Sequence, residues 1–402
     1  MHFCDPDFRN VTPSIRAGKI RQRPCIAMSA NASWNIVNFR SGLIRRLMAE
    51  GYDVAVLAPA DTHSETLLTM GCRYVPLAMD NKGANPLRDL GLMRRYHAAL
   101  KQLRPVAYLG YTIKPNVYGS LAAQALAIPA INNVSGLGTA FIRNTWLTPV
   151  VKQLYRTAFR RSGMVFFQNE DDRSLFTQHK LVVPARTAVL PGSGIDLTQF
   201  NPSPTAPRPP GARHFLLIAR LLWDKGIGEY VEAARQVRAR YPGCRFQILG
   251  FLDVENRTAV SRADVECWVR EGTIDYLGST DDVRPFIERA DCIVLPSYRE
   301  GTARTLLEAA AMGKPLIATD VPGCNNVVVH GENGYLAQVR NAADLAQQIE
   351  TFALLPSERV TALGKRSRAK VETEFDERIV IDRYVEIVTA LRAESKGTAI
   401  NA

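Results

Sequence analysis

Two acidic residues, Glu300 and Glu308, stand out in the stretch SYREGTARTLLEAAAMGKP because most of their neighbours are apolar. The pattern predicts a strand that ends near Pro296, a turn that contains Glu300, and a helix from about Ala303. Glu308 is the only charged residue from Leu306 to Met312, so we expect the helix to be buried nearly all round. A carboxylate in such a place needs a cationic partner or the hydroxyl groups of a ligand.

Each acid also has a simpler interpretation. Arg304 lies four residues before Glu308, one helical turn away, and the two could form a local ion pair. Glu300 could be a surface acid of the loop or could cap nearby backbone amides. The start of the helix favours a ligand, because free amides at a helix N-terminus after a sheet strand make an anion site.

Two cations, Arg220 and Lys225, follow the apolar run HFLLIA at the start of the second half of the chain. At the carboxyl end of a parallel strand they could neutralise a diphosphate, although Asp224 offers either of them an ordinary ion pair. Together with the two acids they fit a nucleoside diphosphate sugar. Glu308 would bind the ribose hydroxyls, and Glu300 would bind the sugar.

The elements that position these residues alternate between apolar runs of strand length and longer helical patterns, which predicts parallel sheets flanked by helices. Seven strands are predicted before a proline-rich stretch and five after it. The predicted helices are 36–50, 86–103, 115–126, 149–161, 228–240, 283–289, 303–312, 342–351 and 376–394. Such sheets bind ligands at the carboxyl ends of their strands. The predicted units are an extension over 1–22, a Rossmann-like domain over 23–200, a linker over 201–212, a second Rossmann-like domain over 213–375, and a helix within 376–402 that could cross back to the first domain.

The bulk composition restricts the class of protein. A chain of 402 residues with 46% hydrophobic and 22% charged residues suits two soluble domains. The first twenty residues carry charges and have no apolar core of a secretory signal, so the cytosol is the expected compartment. Seven scattered cysteines without a C-x-x-C pair argue against a zinc ribbon or a disulfide framework, and the six histidines show no metal-ligand spacing.

The positive charge is concentrated in the first half of the chain. Residues 1–200 contain 24 basic and 12 acidic side chains, whereas residues 201–402 contain 26 basic and 27 acidic ones. A basic domain suggests an anionic partner such as a phospholipid surface, and the alternative is an ordinary solvated face. No helix has a compact Arg/Lys stripe with interleaved aromatic residues, so nucleic acid is not the expected partner.

The stretch E-G-T-A-R-T-L-L-E, with seven residues between its acids, resembles the E-x7-E signature of glycosyltransferase family 4. The resemblance extends through A-R-L-L-W-D-K-G, L-G-S-T-D-D-V and N-G-Y-L-A and covers residues 214–338. A looser likeness in the first half, T-I-K-P-N-V-Y-G-S and N-N-V-S-G-L-G-T-A-F, is to enzymes that extend lipid-linked sugars of bacterial surface polysaccharides. The resemblance implies a GT-B fold, a retaining hexosyl- or N-acetylhexosaminyltransferase, and neither cofactor nor catalytic metal.

The resemblance also assigns roles to residues. It implies Arg220, Lys225 and Glu300 as catalytic residues. Donor contacts would come from Gly301, Thr302, Ala303, Arg304, Thr305 and Glu308. Our candidates for the acceptor site are Ser33, Trp34, Asn35, Lys114, Asn116, Gly136 and Gly138. Lys114 and Asn116 would bind the phosphates of a polyprenyl diphosphate, or would simply flank a helix that starts at Pro115.

The expected partners are therefore a nucleotide sugar, with UDP as the expected nucleotide, a polyprenyl-diphosphate-linked saccharide, and an anionic membrane surface. The protein would lie at the inner face of the cytoplasmic membrane as a peripheral enzyme. Three alternatives remain open from the residues alone: transfer to a soluble acceptor, epimerisation of a nucleotide sugar, and binding of an anionic ligand without turnover.

Overall fold

The computed structural model describes residues 23–80, 86–136, 148–202, 207–254 and 256–400. They form two parallel sheets. The first has seven strands in the order β3-β2-β1-β4-β5-β6-β7, and the second has six in the order β10-β9-β8-β11-β12-β13. The strands are β1 Cys25–Ser29, β2 Asp53–Ala58, β3 Arg73–Pro76, β4 Ala107–Tyr111, β5 Ala130–Val134, β6 Met164–Phe167, β7 Thr187–Val189, β8 His214–Ile218, β9 Arg245–Leu249, β10 Asp275–Tyr276, β11 Cys292–Leu295, β12 Leu316–Thr319 and β13 Gly334–Ala337.

Helices cover both faces of each sheet. They are α1 Ser33–Ala49, α2 Ser64–Thr69, α3 Pro86–Leu103, α4 Ser120–Ala125, α5 Thr148–Phe159, α6 Glu170–Gln178, α7 Ile227–Arg240, α8 Arg262–Arg270, α9 Arg284–Arg289, α10 Arg304–Ala311, α11 Ala342–Ala353, α12 Ser357–Glu374 and α13 Glu377–Ile400. A π-helical turn, Pro115–Gly119, leads into α4. No helix in the described ranges is long and apolar enough to cross a membrane.

The strands are apolar throughout because both faces of each sheet are covered. In β8, alternate side chains enter two different cores. Phe215 and Leu217 join the core that contains α7, whereas Leu216 and Ile218 join the core that contains α10. The two-residue period of a strand thus explains why an uninterrupted apolar run precedes the basic pair.

The C-terminal helix α13 packs on the first sheet, although it follows the second domain in sequence. Its residues Val380, Ile381, Tyr384 and Val388 belong to the same core cluster as β1, β2 and β4. The chain that returns to the first domain runs beside the chain that left it. There the amide of Ile195 donates to the carbonyl of Phe375 at 2.8 Å, and the amide of Glu377 donates to the carbonyl of Ile195 at 3.1 Å.

The fold contains elements that the sequence pattern did not predict. The second sheet has six strands instead of five, because the short strand β13 pairs with β12. The helices α2, α6, α8 and α12 are also additional. These additions complete the two α/β layers and leave the two-sheet architecture as predicted.

Candidate active site

The loop that joins β11 to α10 carries Glu300 and rests on the neighbouring backbone. The amide of Glu300 donates to the carbonyl of Pro322 at 3.2 Å, and the amide of Ala303 donates to the carbonyl of Gly323 at 2.9 Å. Gly323 has a φ of +84°, and a Cβ at this position would lie 2.5 Å from the carbonyl oxygen of Glu300. Only glycine therefore allows the loop to approach this turn so closely.

Lys225 reaches the same loop from the turn that follows β8. Gly226 comes next with a φ of +72°, and a Cβ there would lie 2.0 Å from the carbonyl oxygen of Pro296. The turn thus packs directly on the end of β11, and the ammonium group of Lys225 forms an ion pair with the carboxylate of Glu300. Their side chains are 20% and 15% exposed. An acid and a cation predicted from separate motifs are one pair in the structure.

Arg220 comes two residues after β8 and lines the cleft between the domains, where it is exposed. Within the described part of the chain it has no ion-pair partner. Asp224, the alternative partner considered from the sequence, instead accepts a hydrogen bond from Thr258 Oγ1 at 3.0 Å. Arg220 is thus a cation available to a ligand at the carboxyl edge of the second sheet.

Glu308 pairs with Arg304, as the local alternative anticipated. Arg304 Nε donates to Glu308 Oε1 at 3.0 Å, and the guanidinium also donates to Ser193 Oγ at 3.2 Å. Burial raises the pKa of Glu308 above its ordinary value, and the charge of Arg304 offsets part of that increase. Both residues line the cleft, so the pair does not remove Glu308 from the reach of a ligand.

The cleft is a cavity of about 670 Å³ between the carboxyl edges of the two sheets. From the first domain, α1 lines it. From the second domain, α10 and the loops after β8, β9 and β10 line it. The cavity brings together five of the residues predicted from the sequence: Trp34, Arg220, Arg304, Thr305 and Glu308. The pair of Lys225 with Glu300 lies outside this lining, in the loop that precedes α10.

Three further donor-site candidates have defined structural positions. Ala303 is buried immediately before α10. The carbonyl of Gly301 accepts a hydrogen bond from Asn169 Nδ2 at 2.8 Å, and Thr302 Oγ1 donates to the carbonyl of Gln168 at 3.1 Å. Gly301 and Thr302, the two residues that follow Glu300 in the loop, therefore contact the first domain.

The acceptor-site candidates at the start of α1 differ in their exposure. Trp34 lines the cleft and packs edge-to-face on Phe39, with 5.3 Å between ring centroids. Ser33 is buried, and its hydroxyl donates to the carbonyl of Pro59 at 3.1 Å. Asn35 is half-buried and does not line the cavity. Trp34 is the residue of this group that can meet a ligand in the cleft.

The structure corrects the prediction for Asn116. This residue is 1% exposed, and its Nδ2 donates to the carbonyl of Asn133 at 2.7 Å, so its amide stabilises the core instead of meeting a phosphate. Lys114 forms an ion pair with Asp89 at 2.7 Å, and its phosphate-binding role stays a prediction. Gly136, two residues after β5, has a φ of +142°. Gly138 lies outside the described residues.

Glu377 is a residue of the cleft that the sequence did not indicate. It begins α13 and lines the cavity, and burial raises the pKa of its carboxyl group. A Cβ on Gly42, inside α1, would lie 2.6 Å from Glu377 Oε1. A glycine inside a helix is unfavourable by about 0.5 to 1 kcal/mol relative to alanine. Gly42 is therefore the sequence feature that could have indicated that another part of the chain approaches α1 closely.

Among the residues that the structure describes, no cluster of His, Cys, Asp and Glu side chains has the arrangement of a metal site. The charged side chains that line the cleft are arginines and carboxylates. Glu308 is paired with Arg304, and Arg220 adds a second positive charge to the lining.

Family models match both halves of the chain. Residues 37–192 match the "Glycosyl transferase 4-like domain", and residues 212–353 match "Glycosyl transferases group 1". Together these matches cover about three quarters of the sequence.

The chain is similar to bacterial glycosyltransferases. It is 27% identical over 380 residues to an N,N'-diacetylbacillosaminyl-diphospho-undecaprenol alpha-1,3-N-acetylgalactosaminyltransferase of Campylobacter jejuni, a match that covers 90% of this chain and 97% of that enzyme. It is 29% identical over 246 residues to the putative colanic acid biosynthesis glycosyltransferase WcaL of Escherichia coli, with 59% of each chain covered.

Solved structures share the fold at low sequence identity. Sucrose-phosphate synthase from Thermosynechococcus elongatus has a TM-score of 0.76 at 19% identity, over 92% of this chain and all of that one. HepE from Anabaena, in complex with UDP and glucose, has a TM-score of 0.72 at 17% identity, over 91% of this chain and all of that one. Two matched domains, two facing parallel sheets and the E-x7-E loop between them identify the chain as a member of glycosyltransferase family 4, with the GT-B fold that its sequence predicted.

Proposed function

We propose that this glycosyltransferase moves a sugar from a nucleotide sugar, with UDP as the nucleotide, to a lipid-linked saccharide, with retention of configuration at the anomeric carbon. The observation that carries the proposal is the arrangement of charge at one edge of the cleft. Glu308 lies inside the cavity, Arg220 is a cation without a partner among the described residues, and Lys225 pairs with Glu300 next to the helix start.

The donor fits this arrangement from one end to the other. Glu308 accepts hydrogen bonds from the ribose hydroxyls, and the amino end of α10 with Arg220 and Lys225 holds the diphosphate. Glu300 accepts hydrogen bonds from the hydroxyls of the sugar. The complex of Anabaena HepE with UDP and glucose supports a donor of this class, because that protein shares the fold.

The chemistry follows from where charge develops. Negative charge accumulates on the diphosphate as the glycosidic bond breaks, and the two cations and the helix dipole stabilise it at fixed positions. We propose that protein side chains supply this positive charge without a metal ion. The leaving phosphate oxygen accepts the proton of the attacking acceptor hydroxyl, so the protein need not provide a general base.

The acceptor is proposed on two grounds. The name of the Campylobacter jejuni relative specifies a diphospho-undecaprenol saccharide, and that enzyme is similar over nearly its full length. The first domain of the present chain also has exposed apolar side chains at the carboxyl edge of its sheet: Leu90, Ile113 and Val150. A lipid-linked substrate would approach this edge from a membrane surface.

Charge supports an anionic bilayer as the surface on which this edge rests. Arg94 is exposed on α3, one helical turn after Leu90. Cationic side chains around apolar ones match the headgroups and acyl chains of a leaflet. The enzyme would then be peripheral to the inner face of the cytoplasmic membrane.

A labelled-donor experiment tests the transfer. The purified protein is incubated with bacterial membrane lipid extract and a panel of radiolabelled UDP- and GDP-sugars, and the organic phase is counted. We expect label in the lipid phase with a UDP-sugar, and the anomeric configuration of the product is read by NMR. Label in a water-soluble product would favour a soluble acceptor, conversion of the donor alone would favour epimerisation, and no turnover with any donor would favour a binding protein.

A sedimentation experiment tests the membrane surface. Liposomes with anionic lipid should retain the protein, and the retained fraction should fall at high salt. Val150→Ser should weaken retention, whereas Val183→Ser should not, because Val183 is exposed before β7 at the opposite edge of the sheet. Equal loss in both variants, or retention that salt does not affect, would contradict the proposed surface.

A further inference from the structure

The loop that carries Glu300 is bonded to the first domain on both sides of that residue. Before it, Arg299 forms an ion pair with Asp172. After it, the carbonyl of Gly301 accepts from Asn169 Nδ2 at 2.8 Å, and Thr302 Oγ1 donates to the carbonyl of Gln168 at 3.1 Å. Three contacts across the cleft thus fall within two residues of a single acid of the second domain.

The partners in the first domain form one compact unit, which we call the 168–172 clamp. It follows β6 and includes the start of α6, where Asn169 Oδ1 accepts from the amide of Asp172 at 2.8 Å. Asn169 therefore uses one end of its amide to cap the helix and the other to hold Gly301. Asn169 and Asp172 are fully buried, so their side chains have little freedom to follow a loop that moves.

The ion pair gives the clamp its strength. Asp172 is a buried carboxylate, and Arg299 is its one cationic partner among the described residues. A buried charge is costly without its partner, so separation of the two groups is opposed. The contact is also sterically close, since a Cβ on Gly301 would lie 2.5 Å from the carbonyl oxygen of Ser135 and 2.7 Å from Gln168 Oε1.

We propose that Asp172 and Asn169 are positioning residues for the transfer, acting through Glu300. When the first domain is docked, the clamp fixes the backbone on both sides of Glu300 and so sets where its carboxylate meets the donor sugar. When the domains separate, these contacts are lost, and the loop is held by the second domain alone. The acceptor domain thereby controls an acid of the donor site. This proposal rests on the role proposed above for Glu300.

The test is a double-mutant cycle between Asp172→Asn and Glu300→Gln, measured with the UDP-sugar that wild type transfers. Asp172→Asn keeps the shape of the side chain and removes the charge that pairs with Arg299. We expect kcat to fall about 10- to 100-fold with a smaller change in the KM for the donor, because displacement of a reacting group by about 1 Å has effects of this size. In the Glu300→Gln background the same change should cause no further loss.

Two further variants separate positioning from general damage. Glu374→Gln removes a carboxylate that pairs with Lys370 at 2.8 Å on α12, away from the clamp and the cleft, and should leave kcat unchanged. Asn169→Ser keeps an oxygen that can cap α6 but removes the Nδ2 group that donates to the carbonyl of Gly301, and should lower kcat as Asp172→Asn does. Melting curves identify any variant that fails to fold, and the other clamp variant then carries the test.

The outcomes distinguish this inference from the proposed function. If the losses from Asp172→Asn and Glu300→Gln multiply in the double variant, Asp172 does not act through Glu300, and the inference is overturned. Full activity in both folded clamp variants would overturn it as well. If Glu300→Gln alone retains full activity, the role of Glu300 in the proposed function fails instead.

Discussion

Replacement of Lys225 by methionine tests the electrostatic basis of the proposed reaction. Methionine keeps an unbranched apolar stem and removes the ammonium group that pairs with Glu300. The change therefore removes one of the cations proposed to stabilise the leaving diphosphate. It also leaves the carboxylate of Glu300 without its partner, so that negative charge next to the diphosphate increases.

The size of the effect can be worked out from burial and distance. Two unit charges about 4 Å apart interact by about 4 kcal/mol at an effective dielectric constant of 20. The side chain of Lys225 is 20% exposed, so water screens part of this interaction. Arg220 and the amino end of α10 also stabilise the charge of the diphosphate. We therefore expect a loss of about 2 to 4 kcal/mol of transition-state stabilisation. This corresponds to roughly 30- to 900-fold in kcat.

The assay is transfer of label to the lipid phase at saturating donor, with a matched control. Lys370→Met removes another largely buried ammonium group, 18% exposed and paired with Glu374 at 2.8 Å on α12, away from the cleft. The control should keep the wild-type kcat, and both variants should fold. A Lys225→Met enzyme within threefold of wild type would refute the electrostatic reasoning.

Three other changes have definite expected outcomes. Glu308→Gln should raise the melting temperature more at pH 8 than at pH 4, and equal shifts at both pH values would contradict this. The reason is that burial raises the pKa of Glu308, so the wild-type protein loses stability as the pH rises through that pKa. Gly301→Ala should lower kcat and destabilise the protein by about 1 to 3 kcal/mol in calorimetry, because the added Cβ would clash with the carbonyl of Ser135. An unchanged melting curve and rate would show that the loop can move to accommodate the methyl group. Tyr384→Ala should reduce the free energy of unfolding in urea by about 3 to 5 kcal/mol, because the ring is fully buried under the first sheet; a change below 1 kcal/mol would show that α13 contributes little to that core.

The sequence predicted most of the architecture because parallel strands covered on both faces are continuous apolar runs. All seven strands of the first sheet were found in this way. The strand β13 was missed because its four residues, GYLA, follow a turn and include two half-buried side chains. The helix α12 was missed because its buried positions, such as Val360, Leu363 and Val371, are sparse among charged residues.

The candidate site was predictable where its partners are close in sequence. Arg304 and Glu308 are four residues apart, and a helix brings such residues together. The pair of Arg299 with Asp172 joins positions 127 residues apart, and no local pattern specifies it. Asn116 was assigned wrongly because a polar residue in an apolar stretch can be a ligand contact or a satisfied core residue. Only its hydrogen bonds distinguish the two.

The two segments that connect the domains lie side by side, and this affects how the domains can move relative to each other. Ile195 and Asp376 form a parallel bridge, so the two crossings between domains are joined edge to edge. The domains are thus connected at one bonded point on this side of the cleft and not by two independent linkers. We therefore expect the cleft to open by a hinge at this bridge, which a pair of spin labels across its mouth would measure as a change in distance.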